Sequence, residues 1–210
     1  MSLELYAAYV VATLIVLALP GPTVMLVVSY ALTQGRRTVL ASILGVGLGD
    51  ATAATVSLLG MGALLAASAT LFTLIKICGA AYLAWLGLKL WRAKPHVAEM
   101  DEEASRKTQV SARRVFVHSF VVTALNPKGI LFFIAFLPQF VAPSQPLGPQ
   151  LGLLGVTFVV LAMANAGIYA MLAAEVGERF RSPTIMGRIQ KVGGSVMIAA
   201  ALLTLRMQKV

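Results

Sequence analysis

The chain has 210 residues, of which 59% are apolar and 12% charged, and its mean hydropathy is +0.86. Soluble domains carry about 25% charged residues, so this composition excludes an ordinary soluble protein. The formal net charge of +9 does not indicate nucleic-acid binding, because the basic residues lie in short connections beside apolar stretches. Basic residues in that position set the orientation of a membrane protein.

The residues that usually carry metal or catalytic chemistry are sparse. Cys78 is the only cysteine, which excludes an intrachain disulfide and a multi-cysteine metal site. His96 and His118 each stand alone in the sequence. The chain has no nucleophile–base pair and no phosphate-binding loop. We therefore expect no enzyme, no catalytic residues, no cofactor and no metal.

Apolar runs of about 20 residues are typical of membrane helices. This chain has six, and they predict an all-α membrane protein with six transmembrane helices: Leu5–Tyr30, Val39–Leu65, Leu71–Trp91, Val115–Phe140, Leu151–Ala173 and Met186–Leu205. Connections one, three and five contain lysine and arginine, whereas two and four contain no charge. Basic residues near span ends favour the cytoplasm, so we expect these three connections inside and both termini outside, on the far side of the membrane from the cytoplasm.

The predicted spans divide into two halves of three. Residues 1–91 form the first and 115–210 the second, joined by a charged cytoplasmic linker at 92–114. Spans one and four are both interrupted near the middle, and spans three and six both open with Lys-x-x-Gly, at Lys76 and Lys191. Three spans per half place the halves in opposite orientations, which predicts a 3+3 inverted repeat with broken helices one and four. Chance similarity is the alternative interpretation.

The two interruptions predict a binding site. Proline lacks an N–H but suits the first position of a helix, so Asn126-Pro127 reads as an N-cap followed by a new half-helix. Pro20-Gly21-Pro22 fits the same role in span one. The N–H groups and positive dipole end of each half-helix would attract an anion such as a carboxylate. A simple proline kink is the structural alternative.

Two charges lie deep in predicted spans. At about 1.5 Å per residue, Lys128 and Asp50 lie roughly 20 Å and 17 Å from the nearer ends of their helices. Intramembrane charges usually face a cavity or a partner and serve a function. One hypothesis gives Asp50 the coupling proton and Lys128 the substrate carboxylate, while the other makes the two a structural pair. Lys76 lies near a span end, where its side chain would reach the interface, and is a weaker candidate.

Small and polar residues inside the spans give further candidates. Gly45 and Gly49 form a small-xxx-small face ending beside Asp50, which favours either close helix packing or backbone contact with substrate. Asn165 is a polar residue in the middle of span five, where it would bridge helices or line the path.

These motifs resemble the LysE/RhtB family of amino-acid exporters over nearly the whole chain. The residues that carry the resemblance are Pro20-Gly21-Pro22, Gly45-x-Gly-x-Gly49-Asp50, Lys76-x-x-Gly79-Ala-Ala-Tyr82-Leu83 and Leu125-Asn126-Pro127-Lys128-Gly. The resemblance implies export of an amino acid from the bacterial inner membrane, driven by protons. Thr23 stands where Asn or Asp is common in the family. Because of this departure, the resemblance does not identify the residue that contacts the substrate's amine.

The sequence therefore predicts a carrier that exchanges an amino acid or related small zwitterion for protons within the lipid bilayer. The substrate-binding candidates are Pro20, Gly21, Pro22, Thr23, Gly49, Asn126, Pro127, Lys128 and Asn165. Asp50 is the candidate for proton coupling, with binding of the substrate's ammonium as its alternative role. A homodimer is compatible with this prediction, and nucleic acid is not an expected partner. The alternative function is a membrane channel or scaffold whose buried charges are structural.

Overall fold

The computed structural model describes residues 1–67, 110–142 and 145–176, with isolated helical positions between 70 and 92 and between 187 and 198. The predicted spans Leu71–Trp91 and Met186–Leu205 lie mostly outside the described residues, as do Lys76 and most of the linker at 92–114. Within the described part every element is helical, and no strand occurs there.

The first predicted span consists of two helices. Helix α1 spans Leu3–Leu17 and begins at Ser2, whose hydroxyl accepts a hydrogen bond from the Leu5 N–H at 3.2 Å. Helix α2 spans Pro22–Gln34 and has proline in its first turn. The prolines between them supply no N–H for a continuous helix, so the chain is interrupted where the sequence places them.

The chain reverses direction after α2. A 3₁₀ helix at Gly35–Thr38 leads into α3, Val39–Ala67, and Gly35 has a φ of 67°, which glycine adopts without steric cost. Thr23 at the start of α2 and Gly49 within α3 both lie beside Thr123. Since α2 runs away from Thr123 and α3 runs back toward it, the two helices run in opposite directions on either side of Gly35.

The fourth predicted span is also interrupted. Helix α4 spans Ala112–Ala124 and α5 spans Pro127–Leu131, followed by a π-helical turn at Phe132–Phe136 and a 3₁₀ turn at Leu137–Phe140. The axis bends by 41° between Ala112–Ala124 and Pro127–Phe140. The last described helix, α6, spans Leu147–Val176 without a break.

By length and composition, two helical stretches of the described residues could cross a membrane: Pro22–Gly60, which includes the turn at Gly35, and Leu147–Glu175. The bent pair formed by Ala112–Ala124 and Pro127–Phe140 makes a third if it counts as one span. Helix α1 is apolar but shorter. The outer faces remain apolar, as Val56 and Leu59 on α3 and Val160 on α6 are well exposed. A helix that is hydrophobic on all sides suits a lipid environment.

Two kinds of contact hold these helices together. Glycines on α3 let it approach the backbone of α4, since a Cβ built on Gly45 would lie 2.5 Å from the Phe116 carbonyl oxygen. Aromatic rings fill the space between α1 near Tyr9, the π-helical turn and α6, with Phe133 and Phe158 at a centroid distance of 4.7 Å. The site described next lies between these two regions.

Candidate functional site

The site begins where α1 and α2 are interrupted. The residue that precedes α2, Gly21, is extended, with φ −111° and ψ −172°, and Pro22 occupies the first helical turn. A Cβ at Gly21 would lie 3.4 Å from the Lys128 Nζ. The glycine therefore leaves room for the lysine head group against the break.

The second interruption is capped by its own asparagine. The Asn126 side-chain oxygen accepts a hydrogen bond from the Lys128 N–H at 3.1 Å, and Pro127 follows in the first turn of α5. This is the N-cap arrangement that Asn-Pro predicts, because the asparagine satisfies one free N–H and the proline has none to satisfy.

The structure brings the two interruptions into direct contact. The Asn126 Nδ2 donates a hydrogen bond to the Thr23 Oγ1 at 3.1 Å, and the Thr123 Oγ1 donates to the same oxygen at 3.3 Å. Thr23 belongs to the first half of the chain, whereas Thr123 and Asn126 belong to the second. One threonine hydroxyl therefore joins the start of α2 to both sides of the second break.

Side chains from the second half satisfy the carbonyl end of α1. The Lys128 Nζ donates to the carbonyl oxygens of Val16 at 3.2 Å and Leu19 at 2.9 Å. The Leu17 and Ala18 carbonyls accept hydrogen bonds from side chains of α6: Asn165 Nδ2 at 3.1 Å and Tyr169 Oη at 2.8 Å. The last carbonyls of a helix lack the regular helical partner, and within the described residues only Val16 of these four also accepts a backbone N–H, that of Leu19 at 3.2 Å, so the side chains act as the C-terminal cap of α1.

A small cavity of about 30 Å³ lies between the two breaks and α3. Its lining includes Thr23, Asp50, Asn126, Lys128 and Asn165. This volume holds a few water molecules at most, and an amino acid is several times larger. The cavity as it stands is therefore too small for an amino acid.

Asp50 and Lys128 share this cavity without a direct ion pair. Asp50 is 7% exposed, and its Oδ1 would lie 3.8 Å from a Cβ at Gly129. The ion pair within 4.0 Å that the described part of the chain contains joins Arg36 and Glu175, at the other end of α2. The Lys128 ammonium instead binds the α1 carbonyls. The two charges are neighbours, but neither serves as the other's hydrogen-bond partner.

The other candidates are distributed around this centre. Pro20 is buried within the first break, whereas Pro22 and Pro127 are exposed at their helix starts. Gly49 packs against Thr123 and the Phe120 carbonyl, so α4 and not the cavity covers it. Lys76 lies outside the described residues, and within them no three His, Cys, Asp or Glu side chains converge as metal ligands.

Two residues of the site, Tyr169 and Thr123, were not predicted from the sequence. Tyr169 lies four residues after Asn165 and therefore on the same face of α6. That spacing was a usable signal, because both side chains cap adjacent carbonyls of α1. Thr123 gave no signal, since threonine is common in membrane helices and only the fold brings it to Thr23.

Comparison with known proteins identifies the family of this chain. The sequence profile of the LysE type translocator family matches residues 14–208. The chain is 34% identical over 203 residues to an uncharacterized membrane protein of Vibrio cholerae, covering 97% of each chain. It is 34% identical over 204 residues to the homoserine/homoserine lactone efflux protein of Salmonella typhimurium, again covering 97% of each chain.

The homoserine/homoserine lactone efflux protein of Salmonella typhi is also 34% identical over 204 residues. No solved structure matches the chain. The family profile covers nearly the whole sequence, and the relatives are bacterial membrane proteins of matching length. The resemblance drawn from the sequence motifs is thus confirmed, and the chain belongs to the LysE type translocator family of membrane transport proteins.

Proposed function

We propose that this protein exports an amino acid or a related small zwitterion across the bacterial inner membrane in exchange for protons. One observation carries the proposal: two helix breaks contact each other at a small cavity whose lining includes one acidic and one basic side chain. Irregular backbone at membrane depth is tolerated where protein or a water-filled cavity satisfies it, which is typical of transporter sites.

The proposed architecture is six spans in a 3+3 inverted repeat, with both termini in the periplasm. The break between α1 and α2 and the break between α4 and α5 would be equivalent positions of the two halves. Their contact through Thr23 and Asn126 supports this arrangement. In such transporters the substrate site lies where the repeats meet, and the repeats move against each other around it.

The proposed substrate carries a primary ammonium group. Homoserine and homoserine lactone, the compounds in the names of the Salmonella relatives, share an ammonium, but the lactone has no free carboxylate. Recognition centred on the ammonium would accept both compounds. In this proposal Asn126, Pro127 and the Pro20 to Pro22 segment contact the rest of the substrate, and Asp50 carries the coupling proton.

Counterflow in vesicles tests the export function. Purified protein would be reconstituted into vesicles preloaded with unlabelled amino acids, and uptake of the labelled compound would be measured across a panel that includes homoserine and its lactone. We expect saturable exchange of at least one member. If every member fails, or if uptake is a non-saturating leak, the channel or scaffold interpretation replaces the carrier.

Asp50→Asn separates coupling from binding in the same vesicles. Exchange at equal pH should persist, whereas the acceleration of net efflux by an imposed pH gradient should disappear, because the amide has no proton to deliver. Glu175→Gln is the matched control, since Glu175 is exposed and lies away from the cavity. If the gradient still accelerates efflux in Asp50→Asn, the coupling role of Asp50 is wrong.

A further inference from the structure

The carbonyl end of α1 binds a cation. Helix C-termini carry partial negative charge on their free carbonyls and favour positive groups. Here an ammonium group, the Lys128 Nζ, occupies this position at 3.2 Å from the Val16 oxygen and 2.9 Å from the Leu19 oxygen. A primary ammonium is also the group that homoserine and homoserine lactone share.

The ammonium at the end of α1 belongs to Lys128, which lies in a distant part of the sequence. Its position there leaves the Asp50 carboxylate without a direct partner in the described part of the chain. Lys128 belongs to the second break, yet its ammonium binds neutral carbonyls of the first half, although Asp50 lines the same cavity. In the described part of the chain no side chain donates a hydrogen bond to Asp50. An alternative ionic partner for the lysine is therefore present in the same small space.

The neighbouring carbonyls are held independently of the lysine. Asn165 binds the Leu17 carbonyl and Tyr169 the Ala18 carbonyl, both from the unbroken helix α6. Because α6 fixes these two carbonyls, the end of α1 would keep its position if the ammonium of Lys128 left. The Leu19 oxygen would then lose its lysine donor, and the Val16 oxygen would keep only the Leu19 N–H, at 3.2 Å, so both would have room to accept a hydrogen bond from another ammonium.

We propose that the Val16 and Leu19 carbonyls are the subsite for the substrate's ammonium, and that Lys128 fills it as an internal substitute when no substrate is bound. An entering substrate displaces the lysine head group, which moves to Asp50 on the other side of the cavity. Lys128 is then a positioning residue, and the carbonyls of α1 make the contact with substrate.

This exchange explains how substrate binding would release a proton. Among the described residues that line the cavity, Asp50 and Lys128 are the charged groups, and Thr23, Asn126 and Asn165 are the polar side chains around them. An ammonium placed beside a carboxyl group favours its ionised form. When the lysine arrives, the Asp50 proton would pass to water on the side from which the substrate entered. The role given to the substrate rests on the proposed function, but the cation site is testable without transport.

Chemical rescue tests the site directly. Lys128→Ala removes the ammonium and leaves the two carbonyls without their lysine donor, so n-propylammonium, which has the three carbons and the nitrogen that the substitution removes, should bind in its place. We expect n-propylammonium to raise the Tm of the purified variant in detergent by about 3–6 °C at ten times its Kd. Wild-type protein, whose own lysine fills the site, should show no such rise, and neutral propan-1-ol should have no effect on either protein.

The double variant Lys128→Ala/Asp50→Asn identifies which group holds the cation. Rescue that persists without the carboxylate supports the carbonyl site. If rescue disappears when the Asp50 carboxylate is removed, the ammonium binds Asp50 and the proposal is overturned. An equal rise in Tm with sodium chloride also overturns it, because the site would then bind cations in general. Should Lys128→Ala unfold, Lys128→Gln replaces it, because the amide can donate to one carbonyl and leave the other open. No rise in either variant also overturns the proposal.

A second readout concerns the movement of the lysine. Addition of an amino acid that gave counterflow should release protons from wild-type protein, measured with a pH-indicator dye, and Lys128→Gln should bind the same amino acid without that release. Equal release from both proteins contradicts the exchange. Successful rescue with no transported amino acid in the panel leaves the cation site standing and removes the export function. Counterflow without rescue supports the export function and overturns the cation site.

Discussion

At the scale of single residues, one hydroxyl joins the two halves of the candidate site. The Thr23 oxygen accepts hydrogen bonds from both the Asn126 amide and the Thr123 hydroxyl. Asn126 also caps α5 through its other side-chain atom. Thr23 therefore fixes the orientation of the amide that starts the second half-helix, although its position in the sequence suggested only a contact with substrate.

Thr23→Val tests this role, because valine keeps the shape of threonine and removes the oxygen. The Asn126 amide and the Thr123 hydroxyl would each lose their acceptor in a half-buried setting, which costs about 1–3 kcal/mol for each unsatisfied group. We expect a lower Tm and slower counterflow. Thr55→Val is the matched control, since the Thr55 hydroxyl binds only the Ala51 carbonyl of its own helix, at 2.8 Å, and is exposed. Equal effects of the two substitutions would argue against the bridging role.

At the scale of helices, α3 and α4 pack closely because α3 presents glycine to the backbone of α4. A Cβ on Gly45 would lie 2.5 Å from the Phe116 oxygen, and one on Gly49 would lie 2.8 Å from the Phe120 oxygen. Backbone atoms cannot rotate away as the end of a side chain can. The spacing Gly45-x-x-x-Gly49 therefore serves helix packing, and this packing holds Asp50 at the cavity.

Glycine substitutions along α3 should divide into two groups. Gly45→Ala and Gly49→Ala should force the helices apart and lower the Tm, at a cost of about 1–3 kcal/mol each for overpacking. Gly60→Ala, in the same helix but with nothing within 4 Å of its added Cβ, should be neutral or stabilising by up to about 1 kcal/mol, since alanine favours helix more than glycine. Thermal unfolding in one detergent measures all three. A tolerated Gly45→Ala would contradict the close packing of α3 on α4.

At the scale of the whole molecule, the candidate site is a small space between the first and second halves of the chain. The cavity of about 30 Å³ cannot hold an amino acid, and the contacts that close it join the first half of the chain to the second. Binding of an amino acid at this site therefore requires the two halves to move apart, with the Thr23 bridge broken or rearranged.

A reversible cross-link tests whether opening is needed. The Thr23 and Thr123 oxygens lie 3.3 Å apart, so cysteines at both positions should form a disulfide on oxidation that ties α2 to α4. Cys78 would be replaced by serine first, because it is the only native cysteine. We expect oxidation to abolish counterflow and a reductant to restore it, whereas each single-cysteine variant should be unaffected by oxidation. Full transport by the cross-linked protein would show that α2 and α4 stay together during the cycle.

The sequence by itself determined the membrane class, the family and the identity of the polar residues at the centre. Apolar run length and the cost of a buried charge are local properties, so Asp50, Lys128, the two proline breaks and Asn165 were recognisable without coordinates. The cap at Asn126 was also predictable, because an N-cap involves residues next to one another in the chain.

Only the tertiary structure decided which groups pair. The Lys128 ammonium binds carbonyls of Val16 and Leu19, and Tyr169 binds Ala18, across more than a hundred residues of sequence. Backbone carbonyls occur at every position and carry no signature in the residue letters, so the sequence pointed to a carboxylate as the lysine's partner instead. Whether a carbonyl is free depends on where its helix ends, and which side chain reaches it depends on how the helices pack.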